Sequence, residues 1–191
     1  MKLKSFIGVY HNILDINTCN TLMSMVDSPI YNPIKQTSAN NNRNITIRDG
    51  TEILLTHPDH SVVKDILISA SFKTIELYLN KTKKLSRFVS HNTDTCKFEN
   101  FRVRRYDKGS GHFKEHCDII GIDTMSRLFV IMFYLNTVDV GGETEFTELN
   151  MSIKPKQGSV LIFHPNFMFP HQSNIPISNN KYTTQTYIHY M

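Results

Sequence analysis

The stretch YDKGSGHFKEHCD, residues 106–118, ends on a histidine and an aspartate two positions apart. Along a β-strand, side chains at i and i+2 leave the same face, so His116 and Asp118 point together into one space. A histidine far downstream, His171, adds a second imidazole on a later strand. Two histidines and one carboxylate, with the remaining positions open, form the ligand set of non-haem Fe(II) enzymes that activate oxygen. His116, Asp118 and His171 are therefore the candidate metal ligands and catalytic residues.

Around that stretch the chain reads as strands, at 98–106, 111–118, 128–136, 144–146, 151–154, 159–163, 167–173 and 182–190. Turn signals separate them: Asp107-Lys108-Gly109, Gly141-Gly142, Lys156-Gln157-Gly158 and Asn179-Asn180. Residues 128–135, LFVIMFYL, are apolar throughout, as a strand covered on both faces must be. Lys181, Thr183, Gln185 and Tyr187 alternate along the last strand, so one of its faces is a polar interior row.

The first half is helical. Residues 4–9 suggest a short strand. Asp15 or Asn17 then offers an N-cap for a helix with Cys19, Leu22, Met23 and Val26 on one face, ended by Pro29. Residues 28–50 are polar and read as a mobile loop or loose hairpin, with 32–50 a candidate lid over the site. Residues 45–55 suggest one or two strands around an Asp49-Gly50 turn. Pro58-Asp59 opens a longer helix that places Val63, Ile66, Leu67, Ala70, Leu77 and Tyr78 on one face and fades near Lys84. Two helices followed by short strands predict an α+β fold, a β-sandwich or barrel buttressed by helices.

At 191 residues the chain suits a single domain, with 1–97 as helical support and 98–191 as the strand core. Charge is mildly basic, +4, and the only cluster is Lys81, Lys83 and Lys84, so nucleic-acid binding is not expected. Cys19, Cys96 and Cys117 show neither a disulfide framework nor zinc spacing, which suggests reduced thiols. The apolar run near the N-terminus breaks at His11, and no segment reaches the ~20 apolar residues of a membrane span. A cytoplasmic protein with no membrane partner is the expectation.

In combination the motifs resemble a known family. Tyr106 stands ten residues before His116, and Lys181 ten after His171; between them come FYLN at 133–136, GGETEF at 141–146 and KPKQGS at 154–159. This pattern is similar to the Fe(II)- and 2-oxoglutarate-dependent oxygenases of the prolyl 4-hydroxylase type, strongly over 98–191 and in outline over the helices. A lysine at 181, where other members carry arginine, looks like the collagen-type and algal enzymes. The Tyr106-to-His116 spacing and Arg127, seven residues before Tyr134, look like the oxygen-sensing type.

The resemblance implies a double-stranded β-helix. It implies Fe(II), 2-oxoglutarate and O2 as cofactors and cosubstrates, with ascorbate a candidate reductant, and release of succinate and CO2. It also implies that Lys181, with Tyr106, Tyr134 and Thr144, binds 2-oxoglutarate. Arg127, Arg102 and Tyr187 become candidates for contact with a proline-containing peptide or protein, hydroxylated at C4 of a prolyl residue. Arg102 and Arg104 depart from the pattern, since relatives commonly carry glutamine or smaller apolar groups there. The alternatives are hydroxylation of another residue or of a free amino acid, and a binding module that kept the fold without turnover. The nucleic-acid dealkylating branch fits less well, because no arginine follows Lys181. His112, His164 and His189 are read as ordinary surface or core histidines.

Overall fold

The structure, a computed structural model, describes residues 3–40, 45–82 and 97–189. Lys83, Lys84 and Cys96 lie outside them. A 3-10 turn at Leu3–Phe6 leads into β1 (Gly8–Tyr10), so the first strand begins later than the sequence suggests. Helix α1 (Ile16–Asp27) starts where Asp15 accepts from the Thr18 amide at 2.9 Å, and Ser28 caps its end before Pro29. Helix α2 (Ser61–Lys81) follows a 3-10 turn at Pro58–His60. Its packed face differs from the expected one. Ile66 and Leu77 are exposed, while Ser71 and Thr74 are buried, their hydroxyls donating to the Leu67 and Ala70 carbonyls at 2.7 Å. Folding those hydroxyls back onto the helix lets polar residues occupy an apolar interface.

Of the two forms expected for residues 28–50, a mobile loop or a loose hairpin, the described residues take the hairpin. β2 (Ile34–Asn40) and β3 (Ile45–Leu54) are an antiparallel hairpin, and β3 joins the main sheet. The Asp49-Gly50 pair, expected at a turn, lies inside unbroken β3. A Cβ on Gly50 would stand 3.1 Å from the Arg105 carbonyl and 3.3 Å from the Tyr106 ring, so glycine there serves close cross-strand packing.

The remaining strands are β4 (Lys97–Phe98), β5 (Arg102–Tyr106), β6 (His112–His116), β7 (Arg127–Tyr134), β8 (Thr144–Phe146), β9 (Met151–Ile153), β10 (Val160–Phe163), β11 (His171–Ser173) and β12 (Lys181–His189). The stretch expected as one strand at 98–106 is thus two, and the one at 167–173 begins only at His171. All pairings are antiparallel, in the order β1-β10-β7-β12-β5-β3-β6-β11-β8-β9, with β2 beside β3 and β4 beside β12. The sheet curls into the double-stranded β-helix expected from the sequence.

Strand β7 explains how the layers meet. Phe129, Ile131 and Phe133 pack with Leu22, Val26, Leu67 and Tyr78 of the two helices. Val130 and Tyr134 face the other way, into a second cluster with Phe146, Leu161, Phe163 and Phe169 inside the barrel. Both faces are covered, which is why the strand shows no polar alternation. No helix of the described residues is long and apolar enough to cross a membrane.

Candidate metal centre and cosubstrate cavity

His116 closes β6 and His171 opens β11, and the two are direct cross-strand partners. Asp118 is placed differently from the expectation, for it lies two residues beyond the end of β6. Strand alternation does not aim it. Its amide donates to the Pro165 carbonyl at 3.2 Å, its own carbonyl accepts from Arg127 at 2.7 Å, and its Oδ1 accepts from the Tyr187 hydroxyl at 2.7 Å. Nε2 of His116 lies 3.5 Å from Asp118 Oδ1, and Nε2 of His171 lies 3.6 Å from Oδ2. The three donor atoms fall within 4.8 Å of one another, the one such cluster among the described residues.

The donor set suits a divalent metal. Nδ1 of His116 lies 2.7 Å from the Lys114 carbonyl and Nδ1 of His171 3.1 Å from that of Phe169. Each backbone contact fixes a ring with its hydrogen on Nδ1 and the Nε2 lone pair free. Burial pushes the Asp118 carboxyl up, but the His116 ring, the neighbouring His171 and the Tyr187 hydroxyl hold it down to about 2. Burial also lowers His171, which favours the neutral imidazole that ligation requires.

From this cluster a cavity of about 420 Å³, its open mouth included, runs into the barrel. His116, Asp118, His171, Tyr106, Thr144 and Lys181 all line it. Lys181, opposite Tyr106 in register, is 1% exposed. Its ammonium donates to Ser173 at 2.8 Å and stands 5.5 Å and 5.8 Å from the Tyr106 and Tyr134 ring centres. Burial pushes it down to about 7, with Glu143 as the one charge opposing that shift. Such an ammonium is costly to bury without an anion. Tyr134 does not line the cavity but donates to Thr144 at 2.9 Å.

The residues expected at the substrate side divide. Arg127 is a paired group. Its guanidinium holds Glu99 at 2.7 and 3.0 Å and stacks 3.7 Å over the Tyr187 ring. Arg102 lies off the cavity, 3.9 Å from Glu99, and Tyr187 bonds to Asp118. Arg104 and Gln185 do line the cavity, on the interior faces of β5 and β12. Gln185 belongs to the polar interior row read from alternation with Lys181, and Arg104 shares the face of Tyr106 by the same period of two. His189 pairs with Glu99 at 2.8 Å, in keeping with a structural role.

Residues 101–189 match the sequence model of the 2OG-Fe(II) oxygenase superfamily. Over those residues the resemblance read from the motifs, to Fe(II)- and 2-oxoglutarate-dependent oxygenases, agrees with that match. Among solved structures the chain is similar to the viral collagen prolyl hydroxylase vCPH of Paramecium Bursaria Chlorella virus-1 in its 2OG complex. There the identity is 21% and the TM-score 0.69, with 97% of each chain covered. It is also similar to a Trichoplax adhaerens prolyl hydroxylase in complex with a hypoxia inducible factor peptide fragment (15% identity, TM-score 0.69, 97% of this chain and 84% of that one). A Pseudomonas putida prolyl-4-hydroxylase matches at 15% identity and TM-score 0.64, over 97% and 93% of the two chains. At these identities the likeness establishes the fold. No curated protein sequence matches this chain.

Proposed function

We propose that the chain, acting as one catalytic domain over residues 1–191, is an Fe(II)- and 2-oxoglutarate-dependent dioxygenase that hydroxylates prolyl residues in a peptide or protein. One observation carries the reading: three metal-type donors and a buried, anion-seeking lysine line the same cavity. In this reading His116, Asp118 and His171 hold Fe(II), and Lys181 takes the distal carboxylate of 2-oxoglutarate, with Tyr106 beside it and Thr144, held from behind by the Tyr134 hydroxyl, completing the polar wall. The bound metal and keto acid supply the oxidising chemistry, with O2 consumed and succinate and CO2 released.

The chain's own groups position and exclude. The two backbone carbonyls orient the imidazoles, and the Tyr187 hydroxyl orients the Asp118 carboxylate. Phe163, Val130 and Met132 keep the lining largely dry. Arg127, tied to Glu99 and to the Asp118 carbonyl, steadies the turn that carries Asp118. The prolyl substrate rests on the motif pattern and on the company of prolyl hydroxylase folds, whose Trichoplax member was solved with a peptide.

The test is reconstitution with Fe(II), 2-oxoglutarate and a panel of peptides, with succinate followed over time. Succinate stimulated by proline-containing peptides supports the proposal. Stimulation only by other peptides or free amino acids moves the reaction to another target, and failure to bind 2-oxoglutarate contradicts it.

A further inference from the structure

Arg104 is a charged cavity residue that the reaction described above does not use. It occupies the interior face of β5, two residues from Tyr106 and opposite Thr183 on β12. That puts it between the rung of Lys181 and that of Tyr187, which holds Asp118. Its side chain is 7% exposed and lines the cavity. Nε donates to Glu52 Oε2 at 2.9 Å, and Nη1 donates to the Gln185 side-chain carbonyl at 2.7 Å. Glu52 does not belong to Arg104 alone, because Arg48 Nη2 lies against the same carboxylate oxygen.

Two guanidinium groups therefore share one carboxylate, Arg104 buried and Arg48 half-buried. Arg48 Nε is buried with no hydrogen-bond partner. Gln185 and Tyr187, which continue the chain of bonds toward Asp118, are uncharged as placed. The cluster keeps one surplus positive charge where an uncompensated charge is expensive. A resident anion does not remove it. With Fe(II) and the 2-oxoglutarate dianion in place, Asp118 and Lys181 complete a balanced set, and the surplus at Arg48, Glu52 and Arg104 remains. A carboxylate on the other molecule that enters the cavity would neutralise it. Arg104 has donors on its Nη atoms beyond those engaged by Glu52 and Gln185, arranged in the planar fork that a carboxylate accepts.

We infer that the molecule hydroxylated by this protein presents a carboxylate to Arg104, close to the carbon that reacts. This deepens the oxygenase reading and rests on it. The carboxylate has two sources, the side chain of an acidic residue adjoining the target proline or the terminal carboxylate of a chain that ends on it.

Both sources are tested on protein loaded with Mn(II) and saturating 2-oxoglutarate, which fills the site without turnover, by measuring peptide affinity directly. One pair of peptides carries an internal proline flanked by glutamate or by glutamine. The other ends in proline as the free acid or the carboxamide. We expect the acid of at least one pair to bind tenfold or more tighter than its amide; which pair discriminates identifies the source. The preference is lost in Arg104→Gln and partly restored in Arg104→Lys, a comparison that separates charge recognition from loss of the fold. Equal affinities within both pairs, no peptide binding at all, or a preference that survives Arg104→Gln overturns the inference. So does a variant whose defect lies in 2-oxoglutarate affinity alone. Failure of the oxygenase reading is separately visible, as wild-type protein that does not bind 2-oxoglutarate.

Discussion

Asp118 is aimed by tertiary hydrogen bonds, since it stands beyond the end of its strand. Asp118→Ala therefore removes a proposed ligand without breaking a ladder, and we expect most Fe(II) binding to be lost while the far-ultraviolet circular dichroism stays unchanged. Titration with Fe(II) under anaerobic conditions checks it, and undiminished affinity would remove Asp118 from the ligand set. Lys181 supports a second prediction. Replacing a buried, unpaired ammonium by an apolar group of similar length relieves a desolvation cost. Lys181→Met should melt a few degrees higher than wild type at pH 6.5 yet lose 2-oxoglutarate binding, as seen by melting curves and titration; a less stable variant would contradict the burial argument. At this scale the convergence of His116, Asp118, His171 and Lys181 on one cavity was legible in the sequence, through His-x-Asp, a later histidine and a lysine at a fixed spacing from it. The sequence did not reveal that Arg127 is paired with Glu99, nor that Glu52 is shared by two arginines. Those pairings join residues far apart in the chain, and no local pattern encodes them.

Among the elements, β3 repays the closest look. Its Asp49-Gly50 pair has the composition of a hairpin turn, and only the neighbouring strand shows why glycine is there: the Arg105 carbonyl and Tyr106 ring come too near for a side chain. Gly50→Val should cost about 1–3 kcal/mol through overpacking and, by displacing Tyr106, weaken 2-oxoglutarate binding. Denaturant unfolding with a parallel titration measures both; wild-type values would return Gly50 to a mere turn signal. The helices were legible because capping and apolar spacing are local, and of the two N-cap candidates, Asp15 and Asn17, it is Asp15 that caps. The buried face of α2 was not, since Ser71 and Thr74 hide their hydroxyls in the helix backbone while Ile66 and Leu77 reach solvent.

For the whole molecule, the buried lysine links stability to pH. In the unfolded chain Lys181 titrates at its ordinary value of 10.5, and in the fold at about 7. Between those values the unfolded chain keeps a proton that the folded one has released, so this group makes stability rise with pH across that window. The ligand-free protein should gain melting temperature from pH 7 to 9 relative to Lys181→Met, and saturating 2-oxoglutarate should flatten the difference. A slope of the opposite sign would mean that the ammonium has an anionic partner in the empty protein. The overall architecture was readable because the two-sided burial of β7 and the turn spacing both follow from composition. The placement of the hairpin beside β5 and β6 depends on long-range pairing and was not.

Prolyl hydroxylation is read out by mass spectrometry of a proline-containing peptide after incubation with the protein, Fe(II), 2-oxoglutarate and O2. For a prolyl hydroxylase the expected result is the gain of one oxygen atom on the proline ring, matched by an equal amount of succinate and absent when 2-oxoglutarate is withheld. Unmodified prolines across a panel that includes acidic and C-terminal contexts, in a preparation that binds both metal and 2-oxoglutarate, would contradict it.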